Sequence, residues 1–113
     1  MYKREFKLWY YTVSHGQMLL RSIGTREKCN MDIYFGDVSY IEIPTKINEI
    51  EILQTSQEDI DYIVHRIGNT NKIITVLSSE SRKYYVVSSV VEVLENGLNM
   101  FDLPFQIPNY TGQ

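Results

Sequence analysis

The sequence predicts an α+β domain: a mainly antiparallel β-sheet, curved into a meander or half-barrel, with one covering helix at about residues 56–67. Three observations carry this. Short aromatic and β-branched segments recur with period-two alternation. That period gives way to a clear helical spacing once, between Thr55 and Gly68. Glycines stand singly, mostly at places where turns are expected.

Phe6 to Ser14 is aromatic and β-branched and predicts a strand. His15-Gly16 predicts a tight turn, since His tolerates positive φ and Gly adopts it freely. Met18 to Ile23 then returns. A two-residue loop sets Val13 opposite Met18, Tyr11 opposite Leu20 and Trp9 opposite Ser22. The other face then pairs Leu8 with Ile23 and Tyr10 with Arg21. Gly24 to Asn30 is a polar loop.

Met31 to Phe35 predicts the next strand, Gly36-Asp37 a type II′ turn, and Val38 to Ile43 the returning strand, ended by Pro44. Lys46 to Leu53 alternates again, with Ile50 and Ile52 against Glu49 and Glu51. Thr55 and Ser56 offer N-caps, and Glu58 lies three residues after Thr55, as in a capping box. Ile60, Ile63, Val64 and Ile67 mark the apolar stripe of the helix, and Gly68 its C-terminal stop.

Lys72 to Ser79 predicts a strand, with a turn at Glu80-Ser81-Arg82. Tyr84 to Leu94 has two readings. Ser89 and Glu92 suit a capping box, which would open a second helix at 89–96 and give an α/β layer fold. Five valines in eleven residues and the hairpin dipeptide Asn96-Gly97 favour strand, turn and a returning strand at Leu98 to Leu103. Pro104 and Pro108 leave an irregular tail.

At 113 residues, the chain is expected to form a single domain, 1–113, with no linker or internal repeat. No stretch approaches the about 20 apolar residues of a membrane-spanning helix, and no cleavage site follows the basic start. With one cysteine, the chain forms no internal disulfide. These features predict a cytoplasmic location and no membrane partner.

The net charge of −3 is unevenly placed: residues 1–28 carry six basic and two acidic side chains, the remainder five and twelve. That balance argues against nucleic acid as a partner. Glu49, Glu51, Glu58, Asp59 and Asp61 form an acidic run without a base. Such a run steers a basic partner, although acids in the first turn of a helix also satisfy its dipole.

No Gly-x-Gly-x-x-Gly motif or phosphate loop occurs, so no nucleotide cofactor is expected. One Cys and two His do not make a cysteine-rich zinc site, and no metal is expected. Cys29, near Arg26 and Lys28, is the candidate nucleophile, since neighbouring cations lower a thiol pKa. A His would serve as its base, but nothing in the sequence places one beside it; His15 and His65, with a carboxylate, are the metal-ligand candidates, and no helical His pair supports them. The nine tyrosines and Trp9 suggest an aromatic binding face, with Trp9, Tyr11 and Tyr84 as its principal members beside Tyr10 and Tyr85.

Residues 8–22 (LWYYTVSHGQMLLRS) and 30–44 (NMDIYFGDVSYIEIP) together resemble a group of small bacterial proteins of immunity type, some placed beside toxin genes. The resemblance covers about a third of the chain and brings no catalytic residue. It implies a bacterial cytosolic protein with a binding role. Three functions are therefore weighed. The first is a non-catalytic protein-binding module, an immunity-type inhibitor of a basic partner, engaging it through Glu49, Glu51, Glu58 and Asp61. The second is a small-ligand binder using the concave side of the sheet and its tyrosines. The third is an enzyme using Cys29 or a His. A homo-oligomer is compatible with each.

Overall fold

A computed structural model describes residues 2–24 and 29–96. Among these the order is β1 (Tyr2–Thr12), β2 (Gln17–Ser22), β3 (Asn30–Glu42), β4 (Lys46–Leu53), α1 (Gln57–Ile67), β5 (Ile73–Ser79) and β6 (Arg82–Asn96). The strands close into an antiparallel barrel in the order β1-β2-β3-β6-β5-β4. The expected α+β, antiparallel architecture is present, but the sheet is a closed barrel and not a half-barrel. Closure comes from β1, which pairs with β2 along one edge and with β4 along the other, Phe6 lying opposite Ile47.

Two three-stranded meanders build the ring. β1-β2-β3 is joined to β4-β5-β6 through the β3–β6 and β1–β4 ladders. β3 and β6 are the long strands. Their first and second halves serve different neighbours, because β2 pairs only with residues 31–35 of β3 and β5 only with residues 82–88 of β6.

The expected turn at Gly36-Asp37 does not form. β3 runs through it, paired with β6 from Asn30 opposite Asn96 to Glu42 opposite Tyr85. The dipeptide instead begins a bend. Asp37 has φ +53°, and a register shift follows between Val38 and Tyr40. Gly36 lies under a close approach: a Cβ there would lie 3.0 Å from Tyr34 Oη and 3.3 Å from the Val90 side chain, so a neighbour would have to give by a few tenths of an ångström. The reading of residues 89–96 as a second helix is excluded, since β6 is continuous to Asn96. The expected hairpin at Asn96-Gly97, the strand at 98–103 and the proline-rich tail lie outside the described residues.

The first hairpin differs in register from the expected one. Tyr11 faces Met18, Tyr10 faces Leu19 and Leu8 faces Leu20, so Trp9 is the extra residue of a bulge. Thr12 pairs with Gln17, so the loop is Val13-Ser14-His15-Gly16, four residues and not two. Gly16, at φ +58°, accepts a hydrogen bond from the Val38 N–H at 2.8 Å, which ties the loop to the β3 bend. At the other hairpin Ser79 pairs with Arg82, and Glu80 and Ser81 both take positive φ, as a two-residue type I′ turn demands.

The barrel interior is filled by Phe6, Met18, Leu20, Met31, Ile33, Phe35, Ile47, Ile50, Leu77 and Val86. A second cluster lies on the outside of the wall. Val76, Tyr85 and Val87 point outward from β5 and β6 and are covered by Ile63 of α1, with Tyr40, Leu53, Tyr62 and Ile74 around them. The helix falls where the spacing predicts it. Its cap is Ser56 with Asp59 at the third helical position, not Thr55 with Glu58. Thr55 donates its hydroxyl to the Ile74 carbonyl at 2.7 Å instead, anchoring the approach to the helix on β5.

Candidate functional site

Where α1 lies on the barrel wall, apolar contacts are bordered by a chain of paired polar groups. Asp59 is 2% exposed and receives four hydrogen bonds. Its Oδ2 accepts from the Ser56 N–H at 2.9 Å and the Ser56 hydroxyl at 2.8 Å. Its Oδ1 accepts from Lys83 Nζ at 3.1 Å and Tyr85 Oη at 3.0 Å. Burial pushes this carboxyl up, but the four donors outweigh burial and hold it at about 2. The Tyr85 phenol is pushed up to about 12, first by burial and then by the carboxylate it bonds.

The Tyr85 ring stacks on Tyr62 with centroids 4.6 Å apart. Tyr62 in turn donates to Glu42 Oε2 at 2.6 Å, and Tyr40 donates to Glu42 Oε1 at 2.5 Å. Both phenols are raised by bonding this carboxylate. Arg66 completes the cluster. Its guanidinium carbon lies 3.4 Å from the Tyr62 ring centroid, and its Nε stands 3.5 Å from Glu42. The sequence carries a faint sign of this cluster in Tyr40-x-Glu42 and Lys83-x-Tyr85, polar and aromatic pairs that share one strand face beside an amphipathic helix.

An ion pair buried on both sides lies on the other meander. Arg21 of β2 and Asp32 of β3 are cross-strand partners. Arg21 donates from Nε to Oδ1 at 2.7 Å and from Nη2 to Oδ2 at 3.0 Å, a two-pronged contact with both side chains fully buried. The Trp9 ring, brought to this side by the β1 bulge, has its centroid 6.0 Å from the guanidinium.

The expected partner-binding acids all lie at the surface. Glu49 and Glu51 are exposed on β4, and Glu58 and Asp61 are exposed on α1. Asp61 accepts a bond from Gln57 Nε2 at 2.9 Å. No side-chain hydrogen bond or ion pair among the described residues engages Glu49, Glu51 or Glu58. Glu49 also has φ +52°, at the β1–β4 register irregularity between Tyr2 and Glu5.

The expected aromatic face is not assembled. Trp9 and Tyr11 belong to β1 and Tyr84 to β6, strands on opposite sides of the ring. Tyr84 and Tyr85, as neighbours in a strand, face opposite ways: Tyr84 packs toward the interior and Tyr85 under α1. The Cys29 and His candidates are likewise kept apart. His15 precedes β2 at one end of the β2–β3 ladder, and Cys29 precedes β3 at the other. His65 is exposed on α1, and Cys29 is an exposed free thiol.

Among the described residues there is no group of three or more His, Cys, Asp or Glu able to hold a metal ion. None of their helices is long and apolar enough to cross a membrane. Beside Glu42 and Lys83 lies an open groove of about 620 Å³, lined by Ile41, Glu42, Ile43, Pro44, Arg82, Lys83 and Tyr84. Comparisons with protein-family models, with curated proteins and with solved structures find no match.

Proposed function

We propose that the protein is a non-catalytic binding module that engages a basic protein partner, in the manner of an immunity-type inhibitor, through the acids of β4 and α1. The observation that carries this reading is the contrast between two sets of acids. Asp32, Glu42 and Asp59 have their carboxylates bonded by cations, phenols or backbone. Glu49, Glu51 and Glu58 are exposed and, like Glu80, Glu92 and Glu95, are engaged by none of the described residues; they are set apart by belonging to the 49–61 run of acids that holds no base.

Charge-reversed Glu49→Lys/Glu51→Lys protein tests the reading. A partner captured from bacterial lysate is purified, and its association rate is measured at low and high salt for both proteins. Slower association of the double variant, with a weaker dependence on salt, supports the assignment. Equal rates at both salt concentrations return these acids to ordinary solvated surface.

A further inference from the structure

A separate site lies at the barrel end where β3 runs out and the β5–β6 hairpin begins. Arg82 and Tyr84 alternate along β6, and Ile41 and Ile43 alternate along the neighbouring stretch of chain that starts in β3. Ile41, Ile43 and Tyr84 pack on the interior cluster with one side while lining the groove with the other. Pro44 completes an apolar wall. The volume of about 620 Å³ falls in the range of small-molecule sites, and a barrel mouth is a favoured place for one.

The charges in this groove are unequal in their commitments. Glu42 is held by Tyr40, Tyr62 and Arg66. Lys83 is held by the buried carboxylate of Asp59. Arg82 is exposed, and no side-chain hydrogen bond or ion pair among the described residues engages its guanidinium. The Tyr84 phenol is likewise left to other partners. An apolar wall with one uncommitted planar cation beside it matches a ligand with an apolar body and a single carboxylate, which a guanidinium receives through two parallel hydrogen bonds.

We infer that this groove binds a small amphipathic carboxylate, its carboxylate on Arg82 and its apolar body against Ile41, Ile43 and Pro44. Tyr84 supplies a further donor beside the carboxylate. This site is independent of the acidic surface proposed above, and neither test touches the other's residues.

Backbone amide NMR spectra recorded during titration with octanoate and with 3-phenylpropionate test the inference, with octanol and 3-phenylpropanol as uncharged comparators. Saturable shifts at residues 41–44 and 82–84 with the carboxylates, and at least about tenfold weaker binding of the alcohols, are expected. Arg82→Gln should weaken carboxylate binding by about tenfold or more, and Arg82→Lys, which keeps the charge without the fork, by less. A thermal melt confirms that each variant is folded. Absence of saturable shifts at millimolar carboxylate, shifts centred elsewhere, or equal affinity in wild type and Arg82→Gln would overturn the assignment.

Discussion

Replacing Asp59 by Asn tests whether the docking of α1 rests on a buried negative charge or on shape alone. The substitution keeps the volume but removes the charge. It leaves the Lys83 ammonium without its carboxylate and weakens the bonds received from Ser56 and Tyr85. The magnitude follows from linkage. A carboxyl held at about 2, against an ordinary 3.8, contributes about 2 kcal/mol at neutral pH. Because the folded value lies below the unfolded one, this stability is fully present above pH 3.8 and is lost as the pH falls toward 2. By pH 3 about half of it remains. Urea unfolding at pH 7 and pH 3 reads the effect. Asp59→Asn should be about 2 kcal/mol less stable than wild type at pH 7, and the deficit should shrink to about half at pH 3. Two outcomes refute the reasoning: a deficit equal at both pH values, or one below about 0.5 kcal/mol at pH 7.

Arg21→Met leaves the fully buried Asp32 without its cation and should cost about 3–5 kcal/mol by urea unfolding, whereas the double variant Arg21→Met/Asp32→Leu should recover much of the loss. Gly36→Ala places a Cβ 3.0 Å from Tyr34 Oη and 3.3 Å from the Val90 side chain, and a thermal melt should show about 1–3 kcal/mol of destabilisation. Glu49→Gly relieves the positive-φ backbone and should raise stability by about 0.5–1 kcal/mol, with unchanged or lower stability as the contrary result.

The helix was legible in the sequence because its signals are local. Ile60, Ile63, Val64 and Ile67 repeat at helical spacing, and Gly68 ends the pattern with φ +82°, donating its N–H to the Val64 carbonyl. The choice of cap between Thr55 and Ser56 was not legible, because each residue has an acid three positions later. β5 decided it by offering the Ile74 carbonyl to Thr55. Gly36-Asp37 failed for a similar reason. A glycine that opens a turn and a glycine that lets a tyrosine pass close by look identical in sequence, and only the length of β6 distinguishes them. Closure of the ring was invisible because it depends on pairing β1 with β4, about forty residues away in the chain. The four-residue first loop and the Trp9 bulge were equally hidden: the loop moved the partners of Tyr10 and Tyr11, and the bulge moved those beyond it by one more residue.

The same reasoning explains how far the candidate site could be read. Alternation with Ile50 placed Glu49 and Glu51 at the surface, where they stand, although Ile50 is fully buried and Ile52 is 37% exposed. It could not separate Asp59 from its neighbours Glu58 and Asp61. All three look alike as acids at the start of a helix. Only the outer face of β6, with Lys83 and Tyr85 two residues apart, selects Asp59 for burial. The acidic run is thus two populations joined by chance of sequence. Asp59 belongs to the fold, since losing its charge should loosen α1. The exposed acids can be changed at little cost to the fold, so any selection that keeps them acts through what they meet. The cations divide in the same way: Lys7, Arg21, Lys46, Arg66, Lys72 and Lys83 are tied to carboxylates, whereas Lys3 and Arg82 are not. Groups that the fold leaves uncommitted are where a binding function has room to act. Among the described residues the acids of β4 and α1 and the guanidinium of Arg82 are two such places, beside the equally unengaged Lys3, Glu80, Glu92 and Glu95.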